Sequence, residues 1–357
     1  MAKYVVNCRF LTQKPTGVQR YALSCALMMQ KKFGSEVLFV APNGKLHESS
    51  IEIEGIVRFG SLKYSGHFWE QFLLPIYLKK LSNPVLLCFS GLAPVFYRNT
   101  IFCIHDMAIF RYPKTFSTLY GIYYRQMTRL LASRVRKLIC VSNFTKSEIG
   151  ELLGRRDATV VNNTIPKTLS MEIMGSSDLL EIIGDDDFIL AVGTLEPRKN
   201  LHRLAEAFEN ASLENVKLVI IGASGAAFRH MEKPWSMSDK IILGGYVSDS
   251  ELSTLYTKAR FFIYPSIYEG FGIPPLEAMS FDCPVVVSST SSMPEVCGEA
   301  GIYFDPFNVE LISCAIIKMM SCSATEKNIL VENGQKQVET FTPMRQEAQL
   351  LKVLNEI

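Results

Sequence analysis

Two carboxylates sit eight positions apart in SIYEGFGIPPLEAM (266–279), around a glycine loop and a proline pair. At that spacing Glu269 and Glu277 could be a hydrolase's acid and base, metal ligands, or a clamp on a polyhydroxylated ligand. Their neighbours bear on the choice. Gly270 and Gly272 permit unusual backbone angles and close ligand approach. Pro274-Pro275 sets a helix start, so the N–H groups of residues 270–273, Phe271 included, can face an anion. Glu277 is then expected in the first helical turn, where the helix dipole favours its ionised form. An ionised carboxylate accepts from two vicinal hydroxyls, as a ribose presents them. Glu269, nearer the preceding strand, can accept from sugar hydroxyls or stabilise positive charge.

A second stretch, AVGTLEPRKN (191–200), ends a predicted strand with a Gly193-Thr194 turn and presents Arg198 and Lys199 just before a helix. Asn200 is expected to cap that helix from Leu201. Two cations at the positive end of a helix suit a diphosphate. A solvated basic turn is the bland alternative, but strand ends are where parallel sheets bind ligands. GDDDF (184–188) carries an Asp-x-Asp pattern, yet it precedes a strand and so lies at the wrong end of the sheet for a metal site; no metal is expected. A glycosidase acid/base pair is disfavoured too, because such pairs flank a scissile bond from different strands and nothing in hydrolysis explains the adjacent cations.

These residues need a frame. Short β-branched runs alternate with amphipathic stretches, which predicts parallel sheets covered by helices. In the first half the strands are expected at Tyr4–Val6, Val37–Val40, Val85–Phe89, Thr100–Ile104, Lys137–Val141 and Thr159–Val161. Helices are expected at Gly17–Lys32, Phe68–Leu81, Tyr120–Ser133 and Thr145–Leu153, the last capped by Ser142-Asn143. NNTIPKT (162–168) reads as a joint. Strands resume at Phe188–Val192, Val216–Ile221, Ile241–Leu243, Phe261–Tyr264 and Val285–Ser288, with helices at Leu201–Asn210, Asp249–Lys258, Pro275–Phe281 and Val309–Met320. The expected fold is α/β, with two Rossmann-like doubly wound domains facing a cleft, residues 1–165 and 166–337. A helix within 338–357 is long enough to pack back on the first domain.

The 357 residues suffice for two such domains. Nine cysteines, an odd number scattered without a CxxC, disfavour a disulfide framework or zinc site and favour a reducing, cytoplasmic compartment. The start shows no signal peptide, and the least charged stretch, Leu81 to Tyr97, is broken by Pro and Gly. The net charge of +2 hides an asymmetry. Residues 1–165 hold 22 Lys+Arg against 9 Asp+Glu, residues 166–357 hold 15 against 26. HFWEQFLLPIYLKKL (67–81) joins Phe68, Trp69, Phe72, Leu73 and Leu74 to Lys79-Lys80. YYRQMTRLLASRVRK (123–137) adds Arg125, Arg129, Arg134, Arg136 and Lys137. This makes an anionic membrane surface a candidate partner of the first domain, against the alternative of a buried helix with a wet basic edge. A nucleic-acid partner is not expected, and no GxGxxG follows the first strand to suggest an NAD dehydrogenase.

The strings VGTLEPRKNLHRLAEAF, GYVSDSELSTLY and YPSIYEGFGIPPLEAMSFDCPVVVSSTSSMPEVCGEAGIYFDP resemble the retaining GT-B glycosyltransferases of family 4, whose signature is Glu-x7-Glu. TGVQRYALS and CIHDMAIFRYP resemble that family's amino-terminal glycine loop and His-Asp segment. The resemblance implies a nucleotide-sugar donor, with no cofactor and no metal, and a glycan or polyprenyl-diphosphate-linked acceptor as in surface polysaccharide synthesis. Arg198 and Lys199 then neutralise the departing diphosphate. Glu269 and the amides of Gly270, Phe271 and Gly272 lie by the transferred sugar, and Glu277 holds the ribose. Gly17 meets the diphosphate, and His105 stands near the reaction centre. GDP-mannose is the donor expected from general resemblance, and IGASG (221–225) and YVSD (246–249) lie where a base could dock. A nucleotide-sugar epimerase, or a non-catalytic nucleotide-binding relative, stays open as an alternative.

Overall fold

The computed structural model describes residues 2–46, 52–60, 66–166, 169, 178–222 and 238–357. The chain divides into two compact units, Met1–Thr164 with Pro343–Ile357, and Ile165–Thr342.

The first unit opens with β1 (Tyr4–Asn7), α1 (Gly17–Phe33), β2 (Val37–Pro42) and β3 (Val57–Phe59). A π-helical turn, Trp69–Leu73, leads into α2 (Leu74–Lys80). Then come β4 (Val85–Cys88), β5 (Thr100–Ile104), α3 (Ala108–Arg111), α4 (Thr118–Arg134), β6 (Lys137–Cys140), α5 (Asn143–Leu153) and β7 (Thr159–Val160). All seven strands are parallel, in the order β3-β2-β1-β4-β5-β6-β7. Every residue of β4 and β5 is buried, as expected for strands covered by helices on both faces. Ser142 Oγ accepts from Thr145 N at 3.0 Å and caps α5.

The second unit repeats the plan with α6 (Asp178–Ile183), β8 (Asp187–Val192), α7 (Leu201–Asn210), β9 (Val216–Ile221), β10 (Ile241–Gly245), α8 (Asp249–Lys258), β11 (Phe261–Tyr264), α9 (Ile273–Ser280), β12 (Val285–Ser288), α10 (Met293–Cys297), β13 (Gly301–Phe304), α11 (Val309–Ser321) and α12 (Ala324–Thr340). Its six strands are parallel in the order β10-β9-β8-β11-β12-β13. Leu204 and Phe208 of α7 pack with Leu218, Ile220, Phe261 and Ile263 of the sheet in one core. In both units the strand order reverses beside the first strand. There the loops leaving neighbouring strands diverge and open a crevice at the carboxyl end of the sheet.

The last helix, α13 (Pro343–Asn355), belongs to the first unit. Gln349 Oε1 accepts from Asn162 N at 2.8 Å, and Gln349 Nε2 donates to Asn162 Oδ1 at 2.7 Å. Gln346 Nε2 donates to Asn162 O at 2.7 Å, while Gln346 Oε1 accepts from Ser24 at 2.8 Å. The first five residues of NNTIPKT are described; residues 167–168 and 223–225 of IGASG lie outside the described residues.

Several elements depart from the sequence expectation. The strands β3 and β13 and the helices α3, α6, α10 and α12 were not anticipated. The span 68–81 is not a uniform α-helix but a π turn followed by α2. Trp69 and Leu74 are fully buried, so only Phe68 and Phe72 of that apolar set are exposed. Of the basic residues in 123–137, Arg136 bonds Asn99 and the carbonyl of Ile357, and Lys137 pairs with Glu356 at 2.7 Å. Part of the basic excess thus anchors the chain's end. GDDDF runs into the start of β8, with Asp187 its first residue, and Asp186 pairs with Lys217 at 3.1 Å.

Candidate active site

The strand-order reversal in the second unit falls between β8 and β11, and the loops leaving those strands carry the two predicted clusters. Pro197–Lys199 forms a 3-10 turn ahead of α7. Asn200 follows in the left-handed region, φ 59°, and it does not cap α7 through its side chain, contrary to expectation. Its Nδ2 instead donates to Pro265 O (3.2 Å) and Pro306 O (2.7 Å), tying the β8 loop to those after β11 and β13.

That tie brings the cations to the first motif glutamate. Lys199 Nζ donates to Glu269 Oε1 at 2.6 Å and to Tyr264 OH at 2.9 Å. Tyr264 OH donates to the same carboxylate oxygen at 3.0 Å, and Ser266 Oγ at 2.5 Å. Oε1 therefore receives three donors. Oε2 has Arg198 Nη1 at 3.8 Å, and Lys199 keeps a third N–H beyond the two bonds described. Burial opposes both charges. Even so, Lys199 and Arg198 hold the Glu269 carboxyl below its usual range, and Glu269 raises the Lys199 ammonium above its own. Both groups are ionised at neutral pH. Arg198 Nη1 also donates to Tyr268 O (2.8 Å), and Nη2 to Glu196 Oε2 (3.1 Å).

A serine-rich run, SSTSS (288–292), secures the glycine loop. Ser288 donates to Ser266 O at 2.6 Å, Thr290 to Ile267 O at 2.9 Å, and Ser292 to Glu269 O (3.0 Å) and Phe271 O (2.7 Å). Ser291 Oγ accepts from Glu269 N at 3.1 Å. Gly270 and Phe271 are buried, and the Phe271 ring meets Phe341 edge-on at 5.2 Å. Gly272 has φ +91°, a conformation that favours glycine, and a Cβ there would have to displace the end of the Met293 side chain.

Glu277 lies on α9, which begins at Ile273, so it falls beyond the first turn, contrary to expectation. The extra residues at the helix start shift the numbering, and the dipole argument weakens for this carboxylate. Glu277 is buried, and its Oε2 accepts from Tyr256 OH at 3.0 Å. Gly193 packs on the stem of Lys199 and donates its N–H to Ile221 O at 2.8 Å. Thr194 is exposed and donates to Glu196 at 3.0 Å. The partners Tyr264, Ser266, Tyr256 and the serine run escaped the sequence reading. The only available signal was their place beside the motif: tyrosines in a strand end or helix resemble core, and a serine run resembles any loop.

Gly17 and His105 belong to the first unit. Gly17 starts α1, whose preceding residue Thr16 donates its N–H to Gln19 Oε1 at 3.1 Å. One turn further, the Tyr21 ring meets His105 edge-on at 5.0 Å. His105 follows β5 and bonds Phe89 O through Nε2 at 2.7 Å. A carbonyl only accepts, so Nε2 carries the proton and Nδ1 is an acceptor in the neutral ring. Burial lowers the His105 pKa, which favours that neutral form.

Two family models divide the chain as its fold does. The model described as Glycosyltransferase Family 4 matches residues 15–168, and that described as Glycosyl transferases group 1 matches residues 178–337. The chain belongs to glycosyltransferase family 4. Among the relatives of this family 4 chain is the O-antigen chain mannosyltransferase B of Escherichia coli, 30% identical over 67% of this chain and 65% of the relative. Another is the O-antigen chain mannosyltransferase RfbU of Salmonella typhimurium, 30% identical over 64% of this chain and 63% of the relative. The matched stretch thus spans just under two thirds of either relative. Among solved structures, sucrose-phosphate synthase from Thermosynechococcus elongatus has a TM-score of 0.76 at 16% identity, over 100% of this chain and 99% of its own. Anabaena HepE in complex with UDP and glucose has 0.75 at 15% identity, over the whole of both chains. The family 4 chain therefore has the GT-B fold. Among the described residues no helix is long and apolar enough to cross a membrane.

Proposed function

We propose that this family 4 chain is a retaining, metal-independent glycosyltransferase. It moves a hexosyl group, mannose from GDP-mannose as first choice, to a hydroxyl of a growing glycan or lipid-linked oligosaccharide. The observation that carries this reading is the Arg198–Lys199–Glu269 cluster at the strand-order reversal of the second unit. Two cations there meet the negative charge that develops on a leaving diphosphate, and stabilising such charge is commonly an enzyme's main source of rate enhancement. The remaining Lys199 N–H serves a phosphate oxygen, and Oε2 of Glu269 accepts from the donor sugar. Glu277, oriented by Tyr256, holds the ribose hydroxyls.

In the reaction the acceptor oxygen bonds to the anomeric carbon as the carbon–phosphate oxygen bond breaks. The acceptor's proton passes to the departing diphosphate on the same face of the sugar, which preserves the configuration. Neither Glu269 nor Glu277 is required as a base. His105, neutral and with Nδ1 as acceptor, takes a sugar hydroxyl, and Gly17 at the start of α1 lets the diphosphate approach the helix N-terminus. The choice of mannose rests on the two O-antigen chain mannosyltransferases among the relatives.

The protein acts at an anionic membrane surface. Exposed Phe68, Phe72, Leu119 and Ile122 supply apolar contact, and Arg129 and Lys79–Lys80 supply charge. The test of the activity is a panel of nucleotide sugars screened by thermal shift, since a ligand of the folded state raises its apparent stability. Each hit is then incubated with glycoside acceptors, and the anomeric configuration of the product is read by NMR. Inversion would refute the retaining reading. Free epimerised sugar without acceptor would replace the transferase by an epimerase.

A further inference from the structure

The first unit has its own strand-order reversal, between β1 and β4, and the segments leaving those strands carry Arg9 and Gly91. Arg9 is almost wholly buried there. Its Nε donates to Glu70 Oε1 at 3.2 Å, and Asn7 Nδ2 donates to the same oxygen at 2.8 Å. Glu70 is fully buried and projects from the π turn, an irregularity frequent at functional sites. Gln71, next in that turn, bonds Ala93 O (2.8 Å) and Val95 N (3.0 Å), so the turn also fixes the loop after β4.

A tie between two loops accounts for Nε of Arg9, but not for the rest of the cluster. Gly91 has φ +66°, and a Cβ there would come within 3.0 Å of Arg9 Nη2, so glycine leaves room for the guanidinium. Among the described residues neither Nη1 nor Nη2 makes a hydrogen bond, and neither is among the buried atoms lacking one. Behind them, Glu70 Oε2 and His67 Nδ1 are buried, 3.5 Å apart, and without hydrogen-bond partners among the described residues. His67 Nε2 bonds Tyr124 OH at 3.0 Å, and the His67 ring meets those of Tyr123 and Tyr124 edge-on at 5.6 and 5.5 Å. Tyr120 stacks on Tyr124 at 4.1 Å, and Tyr120 and Tyr123 are exposed.

We propose that Arg9 is the acceptor-recognition residue of the transferase, its two terminal nitrogens donating to vicinal hydroxyls of the acceptor's terminal sugar, with Glu70 and His67 fixing the guanidinium and the exposed Tyr120 and Tyr123 rings receiving the sugar's apolar face. This rests on the transferase reading above. Charge selects a neutral sugar over an anion. Arg9 is already balanced by Glu70, and a phosphate would set a further negative charge beside a carboxylate whose second oxygen has no hydrogen-bond donor. The planar fork of arginine matches two adjacent oxygens, which lysine cannot do.

The test uses the full chain and saturation-transfer NMR titrations with the methyl glycosides of mannose, glucose, galactose and N-acetylglucosamine, with inorganic phosphate as the anion probe. At least one glycoside is expected to bind. Arg9→Lys, which keeps a cation beside Glu70, is expected to weaken that binding by about tenfold, a loss typical of a missing hydrogen-bond pair. Nucleotide binding by the second unit is expected to stay unchanged. Tyr123→Ala, an exposed change, is expected to weaken glycoside binding several-fold and serves if Arg9→Lys fails to fold. The proposal is overturned if no glycoside binds, if the folded variants bind as wild type does, or if phosphate alone binds. Failure of every nucleotide sugar to stabilise the chain would instead overturn the transferase reading.

Discussion

Lys199 and Glu269 stand 70 positions apart in sequence, yet Nζ and Oε1 lie 2.6 Å apart, each carried by a loop on its own side of the strand-order reversal. The two are mostly buried, so each charge depends on the other. The pair sets the site's electrostatics before any ligand arrives: one carboxylate oxygen is occupied and one is offered.

Lys199→Ala is expected to lower the transfer rate by about ten- to a thousand-fold, the usual cost of removing one charge-stabilising donor. It also leaves a buried carboxylate without its closest cation, so the denaturation midpoint should fall. Lys199→Arg should recover most of the stability and part of the rate. The measurement is nucleotide release in a coupled assay beside a urea titration. A near-normal rate in Lys199→Ala would end the assignment.

Tyr256→Phe removes the hydrogen bond to Glu277 Oε2 and nothing else from its surroundings. A bond to a charged group contributes about 1.5–3 kcal/mol. Donor KM should rise roughly tenfold or more, with kcat changed less. Steady-state kinetics with varied nucleotide sugar checks this, and a fall in kcat at constant KM would place Glu277 elsewhere in the mechanism.

Burial pulls the His105 pKa below its ordinary value, so the unfolded chain binds the proton more readily than the native one. Native stability is therefore greatest above the unfolded value of about 6.5 and declines as pH falls through that value towards the folded one. His105→Gln keeps a donor for Phe89 O but cannot titrate. Urea midpoints at pH 7.5 and 5.5 should drop more for the wild type than for this variant, and equal drops would refute the buried-neutral assignment.

Gln346→Ala leaves the buried carbonyl of Asn162 without the donor that α13 supplies. Orphaning a buried acceptor costs about 1–3 kcal/mol. The loss should show in denaturant unfolding of the first unit, with nucleotide binding by the second unaffected. Unchanged unfolding would mean that water replaces the glutamine.

Sedimentation with vesicles should favour anionic over neutral lipid, and Phe72→Ser should weaken the binding several-fold while leaving the fold intact, because Phe72 is exposed. Equal partition between the two vesicle types would remove the membrane from the proposed function.

The sheets were legible in the sequence because buried parallel strands are continuous apolar runs. Thr100–Ile104, Val216–Ile221, Phe261–Tyr264 and Val285–Ser288 lie where those runs predict them. The edge strand Val57–Phe59 has three residues, Arg58 exposed among them, too short a pattern to register. The helix Ala324–Thr340 buries only Gly334 completely, so it presents no apolar stripe. Glu269 and the basic pair were visible as charges in the loops after strands, and Glu277 through its spacing from Glu269. Their partners were not, since Tyr264 and Tyr256 look like core until a carboxylate is found beside each hydroxyl. Arg9 and Glu70 are 61 positions apart, and no local pattern joins them.

The helix α13 completes the first unit, though the whole second unit precedes it in the chain. On the ribosome the order of completion must then run against the order of synthesis. The second unit, contiguous from Ile165 to Thr342, can close on itself while Leu350, Val353 and Leu354 are still to be added. The first unit waits with the apolar groove for those side chains uncovered and Asn162 unclasped. Nascent chains stalled before α13 should therefore recruit chaperones through the first unit, the half made earliest.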